Sequence, residues 1–105
     1  MFHVIATETY LDELGRWDRS EREEAEKIPS KLSDSPHSGR QLGYRFLREK
    51  RVREKRIYYL VYDDLKLVLL VATSGKKDQQ ATINHIKDKL HGFREIVEEI
   101  SKQFS

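Results

Sequence analysis

The sequence predicts an α+β domain: a short N-terminal strand, two helices, a three-stranded antiparallel meander and a C-terminal helix. Three observations carry this. Strand-like runs succeed one another at about 44–52, 56–62 and 65–73, with only short polar turns between them. Apolar residues at helical spacing precede them. A long stripe stepping by threes and fours comes after them.

Each element has its own local reason. Phe2 to Ala6 is a brief apolar run that reads as the first strand. Tyr10, Leu14 and Trp17 then recur at helical spacing and predict a first helix. Ser20-Glu21-Arg22-Glu23 has the form of a capping box, with Ser20 as N-cap of a second helix and Glu23 reaching back to it. Ala25, Ile28 and Leu32 carry that helix's apolar stripe, and Pro29 should kink or shorten it. Residues 33–43 hold Pro36, Gly39 and Gly43 and read as a loop.

In the meander, the first two strands turn around Glu54, and the next two turn at Asp63-Asp64, which suits a tight hairpin. Leu67 to Ala72 is apolar on both faces and predicts a central strand covered on both sides. The final stripe, Ile83, Ile86, Leu90, Phe93, Val97, Ile100 and Phe104, predicts one long helix that contains Gly92.

At 105 residues the chain supports a single domain, 1–105, with one modest core. The longest apolar run is far too short to span a bilayer. The N-terminal residues lack the basic and apolar regions of a secretory signal, so a cytoplasmic location is expected, with no membrane partner. With no cysteine in the chain, disulfide and thiolate chemistry are excluded. The histidines (His3, His37, His85, His91) are scattered at no metal-ligand spacing, so no metal and no cofactor is expected. One asparagine among many Lys, Arg and Glu suits life at high temperature.

The small net charge of +2 conceals a strong asymmetry. Residues 1–35 carry −4, residues 36–77 carry +7, and residues 78–105 carry −1. From Arg45 to Arg56 seven bases (Arg45, Arg48, Lys50, Arg51, Arg53, Lys55, Arg56) stand against two acids. Alternation puts Tyr44, Phe46, Arg48, Lys50 and Val52 on one face of their strand, with Arg45, Leu47, Glu49, Arg51 and Arg53 on the other. Arg56, Tyr58, Leu60 and Tyr62 share a face of the next. Cations beside planar rings suit single-stranded RNA, through phosphate contacts and base stacking. The plainer alternative is a solvated hairpin whose charges protect a sheet edge. Gly75-Lys76-Lys77 comes after the central strand and in a meander falls near the start of the strand beginning at Arg56. Bases from two segments then converge, able to hold a phosphate and stabilise developing charge. A polar loop capping the last helix is the alternative for those lysines.

The run Arg56-Ile57-Tyr58-Tyr59-Leu60-Val61-Tyr62, the apolar strand after it, and Ser74-Gly75-Lys76-Lys77-Asp78-Gln79-Gln80 resemble the RelE/ParE toxin superfamily, closest to archaeal RelE-like toxins. The likeness covers nearly the whole chain and is most specific from Leu42 to Ile86. It implies a RelE-like fold and the toxin of a type II toxin–antitoxin pair, with a RelB-like antitoxin as partner in a possible heterotetramer. It further implies metal-independent cleavage of mRNA on the ribosome, with the RNA's own 2′-hydroxyl as nucleophile. On this likeness Arg56 contacts the scissile phosphate, Lys77 stands where the family has an arginine, and Arg51 and Arg53 complete the catalytic set. Arg45, Arg48, Lys50, Lys55, Tyr58 and Lys76 are then the RNA-binding residues. The C-terminal tyrosine common in RelE members is absent, and Ile83 stands in its place. A ParE-like inhibitor of DNA gyrase and a non-catalytic RNA- or protein-binding relative are the alternative readings. The basic sheet face favours the RNA-cleaving one.

Overall fold

The computed structural model describes residues 1–104. Their chain order is β1 (His3–Ala6), α1 (Glu8–Gly15), α2 (Arg19–Ala25), α3 (Ile28–Asp34), a 3-10 turn at Pro36–Ser38, then β2 (Arg40–Gln41), β3 (Leu47–Val52), β4 (Lys55–Tyr62), β5 (Leu67–Ser74), α4 (Gln79–Asp88) and α5 (Leu90–Ser101). The five strands form one sheet in the order β1-β5-β4-β3-β2. β1 runs parallel to β5, and the remaining pairs are antiparallel. The predicted α+β class and meander are therefore present, extended by a two-residue strand in the segment read as loop.

Helices cover both sheet faces. On one, Ile57, Tyr59, Val61, Val68 and Leu70 pack with Tyr10, Trp17, Ala25, Ile28 and Leu32 from the α1–α3 segment. On the other, Leu47, Tyr58, Leu60, Leu67 and Leu69 pack with Ile83, Ile86 and Val97 from α4 and α5. Every residue of β5 is buried, as its two-faced apolar run predicts. Each large side chain so buried contributes on the order of 2 kcal/mol.

The N-terminal helical segments differ from expectation in three places. Asp18, not Ser20, caps α2: its carboxylate accepts from the backbone N–H groups of Ser20 (2.9 Å) and Glu21 (3.5 Å), while Glu23 pairs with Arg19. An aspartate two residues earlier out-competes a serine because its charge also answers the helix dipole. Trp17 lies beyond α1, in the turn to α2, yet stays buried. Pro29 divides the expected second helix, standing in the first turn of α3, where its missing N–H costs no hydrogen bond.

The expected C-terminal helix is likewise two helices, broken at Lys89, whose φ and ψ are −115° and 14°. The apolar stripe is continuous because both halves lie on the same sheet face. Gly92 falls in the first turn of α5, where it interrupts little.

A β-bulge in the β4–β5 ladder sets where the chain leaves the sheet. Tyr59 pairs with Leu70 but Tyr58 pairs with Ala72, so Val71 is an extra residue. Its carbonyl accepts from the Thr7 hydroxyl at 2.9 Å. The slip sets Ser74, rather than Thr73, across from Arg56, and so carries the start of the Gly75-Lys76-Lys77 segment onto the α4 side of the sheet.

Candidate functional site

An open cavity of about 520 Å³ lies where the sheet meets the start of α4. Four cations line it: Arg40 from β2, Lys76 and Lys77 from the loop after β5, and Lys87 from α4. Gln79, Ile83 and Lys87 reach it together because residues four apart share a helix face. Ile83 thus stands in the wall at the place where the resemblance expects a tyrosine. One acid joins the cations. Glu49, 7% exposed, projects from β3 with Oε1 3.7 Å from an Arg40 guanidinium nitrogen, and its Oε2 has no hydrogen-bond partner.

Cross-strand pairing sets the floor. Arg40 opposes Glu49, Glu49 opposes Tyr58 and Tyr58 opposes Ala72; two residues along, Arg51 opposes Arg56 and Arg56 opposes Ser74. Ser74 donates to the Gly75 carbonyl at 3.0 Å, so its oxygen accepts the Tyr58 hydroxyl proton at 2.8 Å. Burial pushes the Tyr58 phenol up, opposed by the Ser74 hydrogen bond and reinforced by the Glu49 charge. Tyr58 is therefore held as a neutral donor. Its ring is fully buried and leaves no face for a base, so it supports the site from beneath. Arg56 is 8% exposed, and its guanidinium donates to the Glu54 carbonyl at 3.0 Å.

The other sequence-predicted residues divide between the two faces. Lys50 and Arg51 border a second basic cavity of about 480 Å³ beside α2 and α3, shared with Lys27, Lys31 and Glu24. Arg53, at φ 55°, grips Glu24 at 3.1 Å and the Ser20 hydroxyl at 2.8 Å, tying the hairpin turn to α2. Lys55 sits 5.6 Å from the Trp17 ring centre and 3.8 Å from Glu21. Arg48 donates to the carbonyls of His37, Gly39 and Arg45, each at 2.9 Å, and so clamps the loop that carries β2. Arg45 is exposed on the turn before β3. Charge density at 45–56 thus serves two ends: part of it faces cavities, and Arg48, Arg53 and Lys55 hold elements together.

Sequence reasoning missed Glu49, Arg40 and Lys87. Glu49 carried a signal: an acid on the same strand face as Leu47, opposite a tyrosine-rich strand, must be buried and needs a partner. Arg40 and Lys87 enter through β2 and the α4 face, which no local pattern marks. Among the described residues no group of three or more His, Asp and Glu side chains could hold a metal ion.

No family model matches the chain, and no curated protein matches its sequence. Solved structures do. A double arginine-to-alanine mutant of the E. coli RelE toxin in the free state aligns with a TM-score of 0.70 at 18% identity, covering 83% of this chain and 96% of that one. The chain has the RelE fold. The archaeal RelE–RelB complex from Pyrococcus horikoshii aligns at 0.64 and 14% identity over 71% of this chain and 94% of its own. The RelBE2 toxin–antitoxin complex from Mycobacterium tuberculosis aligns at 0.62 and 18% identity, over 70% and 96%. The RelE fold is thus shared with bacterial and archaeal structures alike. In this chain the cations share the cavity wall with a buried glutamate, from which Arg40 lies 3.7 Å away.

Proposed function

We propose that this chain is the toxin of a type II toxin–antitoxin pair and cleaves mRNA on the ribosome. The observation that carries the reading is the cavity itself, lined by four cations and one buried acid, Glu49. The RelE fold, found in solved toxin–antitoxin complexes, supports a RelB-like antitoxin as partner.

The chemistry rests on residue types. Lys76, Lys77 and Arg40 hold the phosphate and oppose the charge that builds on its oxygens, with Arg51 and Arg56 extending the positive field along the sheet. Glu49, in the cavity wall, takes the proton from the RNA's 2′-hydroxyl. The freed oxygen attacks the adjacent phosphorus and the P–O5′ bond breaks. Lys77 returns a proton to the leaving 5′-oxygen. The products are a 2′,3′-cyclic phosphate and a 5′-hydroxyl. Each proton transfer of this kind is worth roughly 10²–10⁴ in rate. A carboxylate thereby fills the acid–base position that Ile83 cannot.

The test is a cell-free translation reaction supplied with the purified chain, beside Lys77→Ala and Arg56→Ala controls. Arrest by the native chain alone, with mRNA cut inside the reading frame, is the expected result. Absence of arrest at saturating protein would overturn the reading. Gyrase inhibition in a parallel supercoiling reaction would then point to a ParE-like activity, and its absence to a non-catalytic binder.

A further inference from the structure

We propose that the stacked rings of Tyr44 and Phe46 are a platform for one base of the RNA whose phosphate the neighbouring cavity holds, a subsite that rests on the RNA-cleavage reading. The two rings lie 5.0 Å apart between centroids with their planes 15° from parallel. They are 44% and 37% exposed and lie against each other, so the surface they show is a joint aromatic one.

Their place relative to the cavity is fixed by Lys87. That lysine lines the cavity, and its ammonium also sits 5.5 Å from the Tyr44 ring centre. Leu42, two residues before Tyr44, is part of the cavity wall. Gly43 between them adopts φ 87°, and a Cβ there would meet the Lys87 ammonium at 2.9 Å. The left-handed glycine is what lets the turn and the lysine approach each other.

The turn is pinned without any ligand. Leu42 N–H donates to the Leu47 carbonyl at 2.9 Å, Leu47 N–H to the Tyr44 carbonyl at 3.1 Å, and Val61 N–H to the Phe46 carbonyl at 2.8 Å. A backbone held in advance leaves less freedom to lose when a base stacks on its side chains.

Charge selects the occupant. Arg45, which separates the two residues in the chain, is exposed, and Lys87, Lys76, Lys77 and Arg40 line the cavity. Aromatic faces beside a cationic track suit a single-stranded polyanion with π-faced bases. Phe46 also borders an apolar groove formed with Val61, Tyr62 and Leu90, where a protein side chain would be the competing occupant.

The experiment measures fluorescence anisotropy of a labelled 2′-O-methyl hexanucleotide at low salt, beside versions abasic at each position in turn. The proteins are the native chain, the Tyr44→Ala/Phe46→Ala double variant, Tyr44→Phe and Lys77→Ala, with melting temperatures recorded for all. We expect the double variant to bind the complete oligonucleotide about tenfold more weakly or worse. It should lose nothing further on the oligonucleotide abasic at one particular position, and Tyr44→Phe should bind like the native chain. If the double variant binds every oligonucleotide as the native chain does while Lys77→Ala weakens them all, the platform is wrong and the RNA reading stands; the rings then serve a protein contact. Equal losses on complete and abasic oligonucleotides, with a lowered melting temperature, would also overturn the platform. Failure of the native chain to bind any of them would remove the RNA reading and the platform together.

Discussion

Glu49 and Tyr58 face each other directly across the β3–β4 ladder, both buried, yet only the tyrosine oxygen has a hydrogen-bond partner. The phenol is satisfied by Ser74. The carboxylate has Arg40 at 3.7 Å on one oxygen and nothing on the other. A buried acceptor left in this way costs about 1–3 kcal/mol, more when charged. Such a cost calls for a reason, and a role in proton transfer is one.

Glu49→Gln should therefore separate activity from stability. The amide keeps the shape and removes the base, so in-frame mRNA cleavage is expected to fall by roughly 10²–10⁴. Because the buried charge goes with it, the melting temperature should hold or rise. Cleavage at native rate by Glu49→Gln would exclude Glu49 as the proton acceptor.

Lys77 is a contact of a different kind, exposed at the cavity mouth. Lys77→Ala should weaken binding to RNA of any sequence and lower the slope of log affinity against log salt by about 0.7, one phosphate's worth on a single strand. Lys77→Arg should restore both, since a guanidinium grips phosphate at least as well. A binding titration repeated across salt concentrations checks this; an unchanged slope for Lys77→Ala would mean that the lysine touches no phosphate.

The fold was legible wherever periodicity and burial agree. Leu67–Ala72 could only be an inner strand, and the stripe from Ile83 onward could only be helix facing a sheet. The break at Lys89 escaped because both halves share one apolar face, and β2 escaped because two residues carry no period. The site was legible as charge but not as geometry. Alternation assigned Lys50 and Arg51 to opposite faces, yet both border the cavity beside α2 and α3, and the bulge at Val71 decides which β5 residues face Arg56. Nothing local marks an extra residue in an all-apolar strand. Nor does a count of charges tell Arg53, spent on Glu24 and Ser20, from Lys77, which faces solvent.

Two glycine substitutions should move stability in opposite directions. A Cβ at Gly39 would run into the Tyr59 hydroxyl and lie 2.6 Å from the Glu49 carbonyl oxygen. The Gly39 N–H also donates to that hydroxyl at 2.9 Å. Gly39→Ala should therefore cost about 1–3 kcal/mol and displace β2, taking Arg40 away from Glu49. Gly92 has open space around it in the first turn of α5, so Gly92→Ala should stabilise, by less than the interior value of about 1 kcal/mol. Urea unfolding of the two variants gives both signs in one experiment.

The buried phenols predict a loss of stability in alkali. Burial pushes Tyr10 and Tyr62 up to about 12, the latter against a smaller opposing pull from Arg94, whose guanidinium lies 5.7 Å from the Tyr62 ring centre. An unfolded tyrosine ionises near pH 10. Below about pH 10 both states keep the proton, and the native advantage is whole. Between about pH 10 and 12 the unfolded chain releases protons that the folded chain retains, so stability falls as pH rises. The loss approaches about 2–3 kcal/mol for each of the two phenols. Urea midpoints measured at intervals from about pH 9 to 11 should decline in this window, with phenolate absorbance appearing on unfolding. Tyr62→Phe cannot release that proton, so its midpoint should decline less steeply than the native chain's. An identical decline in the variant would mean that Tyr62 ionises as freely folded as unfolded, and that its burial does not resist the charge.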